Sequence, residues 1–185
     1  VIPNGISEEF KPYGKKSKTA IFFSAPHKGV SALPKVWKQI IKNHPDAKLK
    51  VFSSYDLYGQ EHVERNKIPE YLEAIEELKT LQGVEYSKCI DREELLPHIQ
   101  DAAFFIHPNL WEETFCVSMA EAMACGCYPI VSYIGALREV SFNRGKYVPM
   151  LGENTPEGWK PSPKFINEFA QEVSRCFGFF DKEPE

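Results

Sequence analysis

The sequence lacks the features that mark several large classes of protein. It has no run of about 18 apolar residues, so no transmembrane helix is expected. Its first ten residues, VIPNGISEEF, have neither the basic region nor the apolar core of a signal peptide. The 22 Lys and Arg do not exceed the 26 Asp and Glu, which argues against a nucleic-acid-binding protein. We therefore expect a cytoplasmic protein, and the basic helix face of Lys35, Lys38 and Lys42 leaves peripheral membrane contact open.

The cysteines do not form the patterns of a disulfide framework or a zinc knuckle. There are five of them, an odd number, and three lie in one apolar stretch, which suits reduced thiols. Cys116, Cys125 and Cys127 lack Cys-x-x-Cys spacing, and the five histidines show no ligand spacing. We predict small core residues and no metal site, with metal binding by these three cysteines as the remote alternative.

What the sequence does contain is an alternation of short apolar runs with helical patterns. The 185 residues fit one domain, residues 1–185. Strands are predicted at 19–24, 49–54, 84–87, 103–107, 128–132 and 147–148, with a polar loop at about 55–67. Helices are predicted near 31–45, 69–81, 91–99, 115–125, 137–140 and 162–177, with Ser31 capping the first and an Asp91–Glu94 capping box opening the third. This alternation predicts an α/β fold, a three-layer αβα sandwich around a Rossmann-like parallel sheet.

A ligand site is expected where strands end at the carboxyl edge of such a sheet. One candidate is the stretch after the strand at 103–107, which carries Glu113 and Glu121 eight positions apart. A helix start at 114–118 would offer free amides to phosphate, and the two carboxylates would accept from hydroxyls. Alternatively, Glu113 only favours a helix N-terminus and Glu121 faces solvent. The small and apolar residues around Glu121 favour a buried position.

A second candidate is the segment SAPHKG, Ser24 to Gly29, which follows the first strand. Lys28 would then lie in a carboxyl-end loop, where a cation faces a pyrophosphate. The plain alternative is an exposed loop lysine, which is the common position for this residue type.

The stretch from Glu113 to Val131, ETFCVSMAEAMACGCYPIV, resembles the E-x7-E motif of retaining, nucleotide-sugar-dependent glycosyltransferases of the GT-B class, family 4. The family pattern is E-G-F-G-x-x-x-x-E-A-M-A-x-G-x-P-V-V. The resemblance implies that Glu121 binds ribose, that Glu113 contacts the donor sugar, and that Lys28 neutralises the diphosphate, with Glu113 and Lys28 as the catalytic pair. The other donor-binding residues that it implies are Ser24, Gly29, Thr114, Phe115, Cys116, Val117, Lys88, Cys89 and Ile90.

The chain departs from the family pattern at several positions. Thr114 and Cys116 replace two glycines, so their side chains must point away from the donor or the donor sits differently. Phe23 stands where family members often have an arginine, and Tyr128 adds a residue before the proline. Shorter resemblances at 1–6 and 134–139 extend the similarity to about residue 140.

The resemblance implies the donor-binding, C-terminal half of a GT-B enzyme, with the N-terminal acceptor domain absent from this chain. Such an enzyme transfers a sugar from a UDP-, GDP- or ADP-sugar to a glycan, lipid or small-molecule acceptor, without a cofactor or an essential metal. The alternative is a nucleoside-diphosphate-binding or sensing module with the same fold. A dehydrogenase is disfavoured because G-x-G-x-x-G is absent after the first strand. A receiver domain is disfavoured because that strand end lacks an acidic cluster.

Overall fold

The fold is built around one parallel sheet in this computed structural model, which describes residues 5–56, 68–156 and 158–182. The strands run in the order β3-β2-β1-β4-β5-β6, and every neighbouring pair is parallel. The strand order reverses between β1 and β4, which makes their carboxyl ends the switch point where ligands bind in such sheets. The six strands are β1 (Ser17–Phe23), β2 (Lys48–Phe52), β3 (Val84–Ser87), β4 (Ala102–His107), β5 (Tyr128–Tyr133) and β6 (Lys146–Pro149).

Helices cover both faces of the sheet, as the alternation of elements predicts. They are α1 (Leu33–Asn43), α2 (Pro69–Thr80), α3 (Arg92–Asp101), α4 (Val117–Ala124), α5 (Leu137–Val140) and α6 (Pro163–Phe180), with a 3-10 turn at Pro26–Lys28. Alternate residues of β1 enter different cores, since Phe22 packs with α1, α2 and α6 whereas Ile21 packs with α3, α4 and α5. The predicted three-layer αβα fold is thus confirmed.

Two helix starts and one predicted cap differ from the sequence prediction. Helix α1 begins at Leu33 after Ala32, and Ser31 supplies no cap. Asp91 precedes α3, but its side chain makes no capping bond, so the predicted capping box is not formed. Helix α4 begins at Val117 rather than near 115, because Cys116 has a left-handed backbone (φ 64°) that cannot continue a helix.

A hairpin that the sequence did not predict follows β6. Strands β7 (Gly152–Thr155) and β8 (Gly158–Pro161) pair antiparallel, and their sequences GENT and GWKP show no apolar alternation. The hairpin rests on the segment that precedes Glu113, where the Trp159 amide donates to the Leu110 carbonyl at 2.8 Å.

Two predicted segments lie outside the described residues, and the prediction of no transmembrane helix concerns the described ones. Residues 1–4 of the family-like start and residues 57–67 of the predicted polar loop lie outside the described residues. None of the helices in the described ranges is both long and apolar enough to cross a membrane.

Candidate functional site

A cleft of about 660 Å³ opens at the switch point between β1 and β4. It is bounded by the loops that follow β1 and β2, by the start of α3, and by the segment from Glu113 into α4. Its lining residues are Phe23, Ser24, Ala25, Lys28, Phe52, Ser54, Cys89, Ile90, Arg92, Leu95, Glu113, Thr114, Phe115, Cys116, Val117, Ser118 and Glu121.

Glu113 and Lys28 form an ion pair across the cleft floor. The 3-10 turn after β1 carries Lys28, whose Nζ donates to Oε1 of Glu113 at 2.7 Å. Glu113 is buried, at 7% exposure. Burial would raise the pKa of this carboxyl, but the nearby His107 and Lys28 outweigh it, and the pKa is lowered. Glu113 is therefore a buried carboxylate whose charged form is stabilised by its neighbours, and it is not an exposed residue at a helix start.

Two glycines allow the loops around this pair to approach closely. Gly135 (φ 53°) lies against Glu113, and a Cβ there would come within 2.3 Å of the Glu113 carbonyl oxygen. The neighbouring Ala136 amide donates to that same carbonyl at 2.8 Å. Gly29 (φ 126°) lies against Pro108, where a Cβ would meet the carbonyl oxygen at 2.4 Å. Gly29 is not among the cleft-lining residues, so the structure gives it a packing role between the β1 and β4 loops.

Glu121 is buried as its apolar surroundings predict, at 7% exposure, and it lines the same cleft. Burial raises its pKa, against the opposing effect of Arg92, whose guanidinium contacts the Glu121 carboxylate. Arg92 also lies 4.5 Å from the centre of the Phe10 ring and 3.4 Å from a carboxylate oxygen of Glu9. The sequence does not single out Arg92, although it follows the predicted donor-binding residues at 88–90 by two positions.

The start of α4 lies between the two glutamates in the sequence. Cys116 occupies the N-cap position and its side chain makes no capping bond, so it does not satisfy the first amides of α4. Thr114 lines the cleft and is exposed, whereas Cys116 is buried and its sulfur lies 3.5 Å from the Ser118 hydroxyl. The left-handed backbone at Cys116 is the conformation that glycine adopts without cost, which fits the glycine of the family pattern.

A second group of polar residues lies beneath the cleft floor. Donor atoms of His107, Glu113 and Cys116 all lie within 4.8 Å of one another, and all three residues are buried. Burial alone would lower the pKa of His107, but the Cys116 and Glu113 anions raise it. Burial would likewise raise the pKa of the Cys116 thiol, but His107 lowers it. The sequence predicted no metal site and did not single out His107, because these residues show no ligand spacing along the chain.

The structure separates the three predicted donor-binding residues at positions 88–90. Cys89 and Ile90 line the cleft, and the Cys89 amide donates to the Ser54 hydroxyl at 3.2 Å. Lys88 is not among the lining residues; its exposed side chain pairs with Asp56 at 3.1 Å. The cleft thus brings together the predicted site residues except Gly29 and Lys88, and adds Arg92, Ser54 and Ser118.

Comparisons with solved structures agree with the fold. Sucrose-phosphate synthase from Thermosynechococcus elongatus superposes with a TM-score of 0.62, at 22% identity over 93% of this chain and 37% of that one. Anabaena HepE in complex with UDP-glucose gives 0.58, at 19% identity over 89% of this chain and 40% of that one. Starch synthase IV from Arabidopsis thaliana, bound to ADP and acarbose, gives 0.58, at 16% identity over 95% and 34%. The chain therefore spans 34–40% of the length of these proteins.

Sequence comparison identifies the family directly. No curated protein sequence matches the chain. A family model does match, and it covers residues 6–146, which include the cleft-lining residues and the strands that carry them. Because this match takes in well over half of the 185 residues, the chain belongs to the family described as glycosyl transferases group 1.

Proposed function

We propose that this chain is the nucleotide-sugar-binding domain of a retaining GT-B glycosyltransferase of family 4. Its whole enzyme would transfer a sugar from an NDP-sugar to a glycan, lipid or small-molecule acceptor. The observation that carries the proposal is a single cleft at the switch point that holds two buried glutamates, each paired with a cation from another element. The HepE and starch synthase IV structures were solved with UDP-glucose and with ADP, respectively.

The proposed binding of the nucleoside rests on Glu121. A carboxylate accepts several hydrogen bonds at once, so it can hold both ribose hydroxyls. Arg92 contacts this carboxylate and offsets part of the effect of burial on its pKa. Cys89 and Ile90 line the same cleft and would contact the base. Because base and ribose would both be bound, we expect the cleft to prefer nucleotides over simple phosphates.

The proposed binding of the diphosphate rests on Lys28 and the start of α4. A lysine ammonium and free helix amides both stabilise negative charge. As the bond to the sugar breaks, charge develops on the diphosphate, and donors already in place stabilise it. On this proposal the departing diphosphate needs no metal or cofactor. A bound diphosphate would compete with Glu113 for Lys28, which would leave Glu113 to contact the sugar.

A nucleotide-binding module without transfer activity is the second candidate. It would use the same two buried glutamates, and the chain spans 34–40% of the three solved proteins described above. The two candidates share the cleft and differ in whether a longer protein containing this chain transfers sugar.

The first experiment is thermal unfolding with UDP, GDP, ADP and dTDP. A ligand at 100 times its Kd stabilises the folded state by about 2.7 kcal/mol. We expect one of the four to raise the melting temperature of the wild type, and the shift to fall for Glu121→Ala. A chain that none of the four stabilises would contradict both candidates.

A further inference from the structure

Three donor groups, one at the end of β4 and two in the loop that follows it, converge at the cleft. His107 ends β4, Glu113 lies in the following loop, and Cys116 precedes α4. Zinc binds such nitrogen, oxygen and sulfur donors at roughly 2.0–2.3 Å, which puts tetrahedral ligands about 3.3–3.8 Å apart. The distance from His107 Nε2 to Glu113 Oε1 is 3.8 Å, and no pair of the three donor atoms is more than 4.8 Å apart. A small contraction would therefore suffice to enclose a cation.

His107 provides an independent sign that a ligand belongs here. It is fully buried, and neither ring nitrogen makes a hydrogen bond of normal length among the residues that the structure describes; its Nε2 lies 3.8 Å from Oε1 of Glu113, within the same cluster. A buried polar group without a partner is costly, and such groups are rare in folded proteins. The ring is held between Phe22 and Phe105, with centroid distances of 5.4 Å to each. It therefore has little freedom to turn toward another partner.

The charges around this cluster suit a dication. Cys116 as thiolate and Glu113 as carboxylate supply two negative charges, and neutral imidazole is a common zinc ligand. Lys28 contacts one carboxylate oxygen of Glu113, but a carboxylate has several acceptor positions and can bind both. Glu113 and Cys116 line the cleft whereas His107 does not, so a cation would enter from the cleft.

We propose that His107, Glu113 and Cys116 form a binding site for a thiophilic divalent cation of the zinc class. Three protein ligands leave one coordination position for water or a bound ligand. The proposed sugar transfer does not need the cation. A bound cation would compete with the nucleotide sugar for Glu113. If the proposed function holds, a cation on Glu113 weakens the nucleotide sugar more than the nucleoside diphosphate.

The test measures metal binding without any nucleotide. The chelator-treated protein is titrated with Zn²⁺ against a chromogenic competitor, and separately with Co²⁺ to record the thiolate-to-metal absorption band. We expect one site per chain, and we expect Cys116→Ser and His107→Phe each to weaken Zn²⁺ binding by at least about tenfold, because loss of an outer-shell partner alone typically costs about 10–100-fold in affinity. Cys176→Ala, which removes a buried thiol in α6, should retain both the affinity and the absorption band.

One further variant, Cys116→Gly, keeps the result decisive if a substitution disturbs folding. His107→Phe preserves the ring stack, and Cys116→Gly suits the left-handed backbone, so both should fold. No Zn²⁺ binding by the wild type, or equal binding by wild type and Cys116→Gly, would overturn the site. Nucleotide titration of the same preparation separates the two proposals, because nucleotide binding without Zn²⁺ binding rejects only the metal site. Zn²⁺ binding without nucleotide binding rejects only the proposed function.

Discussion

At the residue scale, Lys28 is the simplest side chain to test. We expect Lys28→Ala to weaken a nucleoside diphosphate more than the matching nucleoside, since the lost contact is with phosphate. A charge-assisted hydrogen bond contributes about 1.5–3 kcal/mol, or roughly tenfold or more in affinity. Calorimetric titration of both ligands measures the difference. Lys38→Ala, an exposed surface ion-pair lysine on α1, is the control and should change neither affinity.

The outcome for Lys28 is informative because the same side chain also pairs with Glu113. Its removal leaves a buried carboxylate with less compensation, which destabilises the folded state as well. An equal loss for nucleoside and nucleoside diphosphate would therefore assign Lys28 to folding and not to phosphate binding.

The two glutamates should act on different parts of one ligand. Glu121→Ala should weaken nucleoside diphosphate and nucleotide sugar alike, and it should abolish any preference for ribose over 2′-deoxyribose. Glu113→Ala should leave the nucleoside diphosphate nearly unchanged and selectively weaken the nucleotide sugar. Titration of both ligands into both variants, with folding checked by circular dichroism, measures this. If Glu113→Ala weakens the diphosphate as much as Glu121→Ala does, the proposed division is wrong.

The same glutamates should change stability with pH in opposite directions. The folded-state pKa of Glu113 lies below its usual 4.5, so its contribution is present above that pH and is lost on acidification. The folded-state pKa of Glu121 lies above 4.5, so its contribution is present below that pH and is lost as pH rises. Between pH 7 and about pH 3, Glu113→Gln should therefore lose less stability than wild type, and Glu121→Gln should lose more. Urea unfolding across this range measures the difference, and parallel curves for all three proteins would contradict it.

At the element scale, the loop after β5 should be intolerant of added volume at Gly135. Gly135→Ala brings a Cβ into the Glu113 backbone at 2.3 Å and strains a positive φ, so we expect a loss of about 1–3 kcal/mol or more. Gly178→Ala in α6 is the matched control, since nothing lies within 4 Å of its added Cβ. That variant should be neutral or stabilising by roughly 0.5–1 kcal/mol. A Gly135→Ala protein as stable as Gly178→Ala would contradict the close packing of this loop on Glu113.

The elements differ in how far the sequence predicts them. Strands β1, β4 and β5 follow from short apolar runs between helical patterns, because burial on both faces leaves that signature. The start of α4 was placed too early because the left-handed Cys116 carries no sequence signal of its own. The hairpin of β7 and β8 was missed because GENT and GWKP are polar, and contact with the chain near Leu110 holds it in place.

The site residues also divide into those that local sequence motifs predict and those that tertiary packing brings in. Glu113, Glu121 and Lys28 are readable from motifs that lie within single loops and helices. Arg92 and His107 enter the site through tertiary packing, from α3 and from the end of β4. Lys88 was predicted from the family resemblance, and its side chain pairs with Asp56 and does not line the cleft.

At the scale of the whole molecule, the chain should bind a donor nucleotide yet transfer no sugar by itself. The cleft holds carboxylates and a lysine that we propose bind the donor, and the chain spans 34–40% of the three solved proteins described above. Binding and turnover are therefore expected to separate: calorimetry with the nucleoside diphosphate that stabilises the chain should give saturable binding. Incubation with the corresponding radiolabelled nucleotide sugar and a mixed acceptor panel should give no product above the Glu113→Ala control. Product formation by the 185-residue chain would show that this one sheet and its cleft hold the acceptor as well as the donor. In that case Glu113, the buried residue between Lys28 and His107, would be the first position to examine for a direct role in the transfer.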